Sequence, residues 1–331
     1  MSQTLTLDAM RGTAATLAPH IYTTPVTPLS GPNLDRLLDS STQVLMKLEL
    51  FQKTGTFKAR GALNVAMQLT PEQRARGITA VSAGNHAIAA AFAAKAVGVS
   101  AKVVVQASAN PQRLAVARSY GAEIVLAQDG AAAFAEMERI MADEGRAMIH
   151  PFEGIYTSLG TATLGLELAA QAPELDAVVV AIGGGGLASG VSAAIKTVLP
   201  RCQVYGVEPE GANVMSLSFA KGEPVRMNPP PSTIADSLAP PMTLPVAYGL
   251  CRRYLDDLVT VSDDEICRAM AVQFRDGKLA VEPAAATALA AVLGPLRERL
   301  QGKRVGIIVC GANIDSATFG TLLARGEQAL A

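Results

Sequence analysis

The chain has 331 residues, half of them hydrophobic and only 17% charged, with a net charge of −1; an average soluble protein carries roughly 25% charged residues. No long basic or acidic block is present, which argues against nucleic acid or an anionic membrane surface as a partner. The cysteines Cys202, Cys251, Cys267 and Cys310 and the histidines His20, His86 and His150 lack metal-site or disulfide spacing, so the starting class is a reduced, cytoplasmic, metal-poor α/β protein.

Met1 to His20 has no apolar core region of the secretory kind and reads as an amphipathic helix around Leu7, Met10, Ala14 and Leu17. Apolar β-type runs follow at Gln43–Leu48, Ile78–Ser82, Lys102–Gln106, Glu123–Ala127, Ala177–Ile182, Gln203–Val207, Leu258–Val261 and Val305–Val309. Helical patterns separate most of them, as at His86–Val97, Pro111–Ser119, Leu164–Ala172 and Leu187–Val198. The alternation predicts βαβ units and mainly parallel sheets, with ligands at the carboxyl ends of strands. Lys95 interrupts the longest apolar stretch, Ala87 to Val99, so no bilayer span is expected. The chain exceeds the size at which one core stops growing. Thr70-Pro71 and His150-Pro151 mark boundaries, predicting a large unit of residues 1–70 and 151–331 with a small α/β unit, 71–150, inserted. The proline-rich stretch Met227 to Pro245 reads as an ordered loop crossing the surface or edging a cleft.

Four segments carry chemistry. Thr54-Gly55-Thr56 offers a hinge and an N-cap, which puts Lys58 in the first turn of a helix continuing through Ala62, Leu63 and Ala66. The positive end of the helix dipole and partial burial both lower a lysine pKa and free its amine for Schiff-base chemistry. Taken alone, the segment also fits a surface lysine that follows a cap. Gly183-Gly184-Gly185-Gly186-Leu187 lies between an apolar strand and a helix, where successive N–H groups make a phosphate cradle. The same run fits a tight packing turn, and Gly183-x-Gly185-x-x-Ala188 with Glu208 also mimics a dinucleotide fingerprint. Ser82-Ala83-Gly84-Asn85-His86 suits a carboxylate at a helix start, or a simple cap. Cys310-Gly311-Ala312-Asn313 ends the last long apolar strand, where a buried structural cysteine is the default.

In register, these segments resemble the fold-type II pyridoxal-phosphate enzymes, specifically the serine/threonine dehydratase and serine racemase family. The resemblance rests on Thr56-Phe57-Lys58-Ala59-Arg60-Gly61-Ala62, Ser82 to Ala87, Gly183 to Leu187, Thr233-Ile234-Ala235-Asp236, Val281-Glu282-Pro283 and Cys310 to Asn313. It implies a two-domain, tryptophan synthase β-like α/β fold and pyridoxal 5'-phosphate as cofactor. By the resemblance Lys58 would hold the cofactor as a Schiff base and remove the substrate α-proton. Phe57 would pack beside the ring, Asn85 would bond its phenolic oxygen, and Gly183, Gly184, Gly185, Gly186 and Leu187 would hold the phosphate. Glu282 and Cys310 would complete the cofactor site, Cys310 facing the ring nitrogen. Ser82, Ala83, Gly84, Asn85 and His86 would hold the substrate carboxylate. The implied reaction is β-elimination of a hydroxy amino acid such as L-threonine or L-serine to a 2-oxo acid and ammonia, by a homo-oligomer, dimer or tetramer. A racemase or β-replacement enzyme on the same cofactor is the alternative, and a nucleotide-binding oxidoreductase a more distant one.

The chain departs from the family at Ile88, where glutamine is usual, at Ser158-Leu159-Gly160-Thr161, and at Ser237, which replaces a glycine. Glu208 and Ala212 match the family's divalent-cation site, but Val214 stands in place of its aspartate, so no metal is expected. Ala83 matches a serine of the racemases, and its methyl group can neither give nor take a proton, so elimination without racemization is expected.

Overall fold

A computed structural model describes residues 5–82, 84–107 and 109–330, and among these ten strands form two sheets. The strands are β1 (Val26–Leu29), β2 (Gln43–Lys47), β3 (Ile78–Val81), β4 (Ala101–Gln106), β5 (Glu123–Ala127), β6 (Ala147–Met148), β7 (Ala177–Ala181), β8 (Gln203–Pro209), β9 (Asp257–Val261) and β10 (Arg304–Ile308). The larger sheet runs β1-β2-β10-β7-β8-β9 and the smaller β5-β4-β3-β6. Every neighbouring pair is parallel except β1 with β2. The apolar run Ala-Val-Val-Val-Ala of β7 is buried at every position, as a central strand covered on both faces requires. The helices Gly186–Val198 and Pro283–Leu293 both pack on this sheet.

All eight predicted strands form. Beyond these runs, β1 went unpredicted because Pro28 disguises it, which an edge strand tolerates, and the strand expected to end at His150-Pro151 is β6, of only two residues. The helix predicted from Leu164 in fact starts at Ile155. Its Thr-Ser-Leu-Gly-Thr opening has weak helix propensity but allows close approach. A Cβ on Gly160 would lie 2.6 Å from the Arg60 carbonyl oxygen, and one on Gly190 would lie 2.2 Å from Thr161 Oγ1. Small residues therefore let three helices touch at their backbones. The helix Lys58–Met67 lies between the two sheets, sending Ala59, Ala62, Leu63 and Ala66 into the smaller sheet's core. Among the described residues no helix is long and apolar enough to cross a membrane.

A buried ion cluster fixes that helix. Arg60 Nε and Nη2 bond the two carboxylate oxygens of Glu49 at 2.8 Å each. Nη1 and Nη2 bond Glu167 at 2.7 and 2.9 Å. Lys47 Nζ reaches the same Glu167 at 2.7 Å and the Thr24 carbonyl at 2.7 Å. Burial alone would depress the guanidinium's pKa; the two carboxylates reverse that and hold it above its ordinary value. Removing one partner of such a pair leaves a buried charge exposed to no solvent, at a cost of about 3–5 kcal/mol. Glu49→Ala should therefore lower the unfolding free energy of the cofactor-free protein by about that amount, read from urea denaturation. A loss below about 1 kcal/mol, typical of a surface pair, would show that the cluster carries no such weight.

Candidate active site

The strand order β2-β10-β7 sets three carboxyl ends side by side, where ligands of parallel α/β sheets bind. From β2 the chain passes through Thr54 and Gly55, both at φ +72°, to Thr56, which bridges Gly311 just after β10. Phe57 N–H donates to the Cys310 carbonyl at 3.1 Å and Ala312 N–H to the Gly55 carbonyl at 3.1 Å, so the lysine segment is stitched to the cysteine segment. The glycine run leaves β7 beside them, and Ser82 leaves β3 opposite. Together they enclose a cavity of about 440 Å³ lined by every predicted site residue that the structure describes. Ala83 lies outside the described residues.

Lys58 is the first residue of its helix, and Thr56 Oγ1 accepts from its N–H at 3.4 Å, although Phe57 rather than a threonine occupies the N-cap position. Its Nζ donates to the Pro151 carbonyl at 3.0 Å and lies 5.2 Å from the Phe57 ring centre. Burial brings its pKa down to about 8, with Cys310 and Glu282 pulling the other way. A minor neutral fraction, roughly a tenth at pH 7, is therefore available, and it grows as pH rises toward 8.

Asn85 is held on both ends of its amide. Its Nδ2 donates to Glu282 at 2.8 Å and to Ser237 Oγ at 3.2 Å, and its Oδ1 accepts from Asn313 at 2.9 Å. Burial raises the Glu282 pKa, and burial followed by the Glu282 charge pushes the Cys310 thiol well up. A neutral thiol results. His86 has one ring nitrogen committed elsewhere: its Nε2–H donates to the Ile149 carbonyl at 2.8 Å, and burial holds its pKa at about 3.

The four glycines have two causes. Among the described residues the N–H groups from Gly183 to Leu187 meet no protein acceptor, whereas the Ser189 N–H returns to the Gly185 carbonyl. A row of unpaired amides at the start of the helix Gly186–Val198 fits a phosphate. Ligand access does not explain the glycines by itself, however. A Cβ on Gly184 would lie 2.3 Å from the Phe152 ring, and Gly185 sits at φ +102° with Met215 only 2.7 Å from where its Cβ would be. The run is a packing turn and a cradle at once. Thr161 Oγ1 fastens it by donating to the Gly186 carbonyl at 2.8 Å, which gives the divergent Ser158–Thr161 stretch a local task.

Several lining residues were not legible in the sequence. Arg113 spans the cleft from the smaller sheet, donating to Asp236 at 2.6 Å and to the Asn313 carbonyl at 2.9 Å. Phe152 and His150 line the cavity between Lys58 and the glycine run. Of these, only His150 left a trace, as one of three histidines and next to a proline. Glu208 is buried with a pKa pushed up to about 7, and accepts from Met215 N–H at 2.7 Å, Ser216 N–H at 2.8 Å and Ser216 Oγ at 2.6 Å. It closes the helix Val214–Lys221 and has no oxygen free for the ribose that a dinucleotide fingerprint would need.

A part-buried lysine at a helix start, unpaired amides across from it and a neutral thiol just past a central strand define a pyridoxal-phosphate enzyme of fold type II. Comparison with known proteins agrees: the profile described as "Pyridoxal-phosphate dependent enzyme" matches residues 17–311, and the chain belongs to that family, among its dehydratases, ammonia-lyases and serine racemases. It is 52% identical to the phenylserine dehydratase of Ralstonia pickettii over 97% of either chain. Identity is 36% to the L-threonine ammonia-lyase of Thermotoga maritima, covering 86% of this chain and 70% of that one. The structure of maize serine racemase superposes with a TM-score of 0.88 at 34% identity, over 96% of this chain and 98% of that one.

Two measurements follow from the site. Lys58 has a folded pKa of about 8 against 10.5 when unfolded. Its destabilisation is thus full below pH 8 and fades as pH rises toward 10.5. Cofactor-free Lys58→Met should melt higher than wild type at pH 7, with the gap closing above pH 8; a gap that widens with pH would refute the shift. Chelator treatment should leave melting and turnover unchanged, because Glu208 is spent on a helix start; activity lost to chelator and restored by magnesium would reveal other ligands.

Proposed function

We propose that the protein removes water from a 3-hydroxy amino acid by β-elimination, that the released enamine takes water up again to give a 2-oxo acid and ammonia, and that the protein favours a large apolar or aryl group on the β-carbon. The observation that carries this reading is a low-pKa Lys58 amine set in a cavity whose remaining walls are mostly apolar. Val105, Ala133 and Phe134 line one side, with Leu238, Pro240 and Met242 on the other. The name of the Ralstonia relative supports the aryl class. L-Threonine and L-serine are then the smaller, slower members of the substrate range.

Pyridoxal phosphate, when bound, supplies an electron sink for the α-carbon. The chain does the rest. The neutral Lys58 amine takes the α-proton, and the Ser82–His86 turn binds the substrate carboxylate through backbone N–H groups at the start of the helix Asn85–Val97. Gly183 to Leu187 hold phosphate oxygens. Cys310, kept as a thiol, would leave the cofactor's ring nitrogen unprotonated, which suits elimination. Residues 71–150 act as an inserted unit that brings Ser82 and Arg113 to the large unit's lysine. Four unpaired, buried cysteines support a reducing compartment, the cytoplasm. The half-exposed Tyr22 and Phe51 support a homo-oligomer, dimer or tetramer, which sedimentation would reveal.

Burying a phenyl instead of a methyl group contributes roughly 1.5 kcal/mol or more, about tenfold in rate. L-threo-3-Phenylserine should therefore show a kcat/KM at least about tenfold above that of L-threonine, with the 2-oxo acid and ammonia formed in equal amounts. Recovered substrate should carry little solvent deuterium. D-Serine forming from L-serine as fast as pyruvate would replace this reading with a racemase. Borohydride reduction and peptide mapping should find the cofactor on Lys58, and a label on any other lysine would displace it.

A further inference from the structure

His150 plays no part in the account above, yet its ring is fixed in the cavity wall by two hydrogen bonds and an aromatic contact. It follows β6, whose continuation is held by Ile149 N–H donating to the Thr79 carbonyl at 2.9 Å. The imidazole Nδ1 accepts twice from the turn ahead of it, from Glu153 N–H at 2.9 Å and from Phe152 N–H at 3.3 Å. The ring also stands edge-on to Phe152, with centres 4.6 Å apart. An Nδ1 that accepts two hydrogen bonds cannot carry a proton, so the neutral ring holds its one proton on Nε2. Among the described residues no acceptor bonds that Nε2–H, and the ring lines the cavity beside Pro151, whose carbonyl binds Lys58 Nζ.

We infer that His150 is a further binding residue: an uncharged N–H donor, fixed in one tautomer, for an oxygen acceptor bound next to Lys58. The acceptor is an oxygen of the cofactor phosphate or the β-hydroxyl of the substrate. Neutrality suits the place. A carboxylate there would raise the pKa of Lys58 and repel an anionic ligand, and a cation would bind the anion but further charge a pocket whose lysine must lose its proton. Burial and the nearby Lys58 hold the ring's own pKa at about 4, so it donates without charge throughout the neutral range. Phe152, fixed by the same Nδ1, packs against Gly184 and Gly186. The donor and the phosphate cradle are thereby set in one frame.

This inference rests on the reading of the cavity as a cofactor and substrate site, and its test separates the two. In His150→Asn the amide oxygen can replace Nδ1 and keep the turn, while the Nε2 donor is lost; His150→Gln offers an N–H near Nε2. His150→Asn should melt like wild type without cofactor. It should then lose about five- to tenfold, the value of one hydrogen bond, in one of two places. Weaker pyridoxal phosphate binding, by absorbance titration, identifies the phosphate as acceptor. Unchanged cofactor binding with lower kcat/KM, partly restored in His150→Gln, identifies the substrate hydroxyl. His150→Asn equal to wild type in both would overturn the inference. Should that variant melt lower, long-range ¹H–¹⁵N spectra of the wild-type chain decide instead. An unprotonated Nδ1, with an Nε2 signal that moves on adding pyridoxal phosphate or L-threo-3-phenylserine, supports it. A protonated Nδ1, or an Nε2 signal moved by neither, defeats it. If wild type makes no 2-oxo acid, the elimination reading fails, while the tautomer and the cofactor titration still stand or fall on their own.

Discussion

A guanidinium sealed from water two residues beyond Lys58 sets the terms for the whole site. Arg60 satisfies its donors on Glu49, Glu167, Thr163 and the Tyr22 carbonyl, and Lys47 shares Glu167 with it. These partners come from the segment ahead of β1, from β2, the turn after it and the helix Ile155–Gln171, so the first turn of the helix Lys58–Met67 cannot slide or rotate without stranding a charge in the interior. Lys58 inherits that fixity. A four-carbon side chain would otherwise roam; here its backbone is pinned by the ion cluster below and by the Phe57–Cys310 bond alongside.

The cavity above this foundation is short of charge. Burial drives its nitrogen and sulfur groups toward their neutral forms: the Cys310 thiol and the rings of His86 and His150 are uncharged at neutral pH, and the Lys58 amine is brought part of the way. The formal charges are gathered at one side, where Arg113 meets Asp236 and Glu282 holds Asn85. An anionic ligand in such a space relies on oriented N–H groups more than on counter-charges, and oriented dipoles need not reorganise during a reaction. The unpaired amides from Gly183 to Leu187 are the largest set of these.

How much of this was legible in the sequence depended on range. Lys58, the glycine run and the Ser82–His86 turn announce themselves because cap, hinge and strand-to-helix context are local. The parallel sheets follow from unbroken apolar strands such as β7. Arg113 could not be found that way, since its partners Asp236 and Asn313 are brought to it only by folding. The nine residues between Ile155 and Thr163 were missed because small polar residues read as loop, whereas their smallness is what lets helices meet at Gly160 and Gly190. The purpose of the glycines was only half visible: unpaired amides can be guessed from glycine, but not the phenylalanine ring that fills the space beside them.

The position of β10 has a consequence for how the protein comes into being. It is the last in sequence of the ten strands among the described residues, yet it lies between β2 and β7 and carries Cys310 to the lysine. At about 5–20 residues per second, the roughly 250 residues from Lys58 to Cys310 occupy a ribosome for on the order of ten to fifty seconds. Through that interval β2 and β7 each present an open edge to the cell, and the lysine has no cysteine segment to be stitched to. The nascent chain therefore cannot capture its cofactor in the finished geometry; loading belongs to the completed chain, and a message truncated before β10 yields a sheet with a gap at its centre.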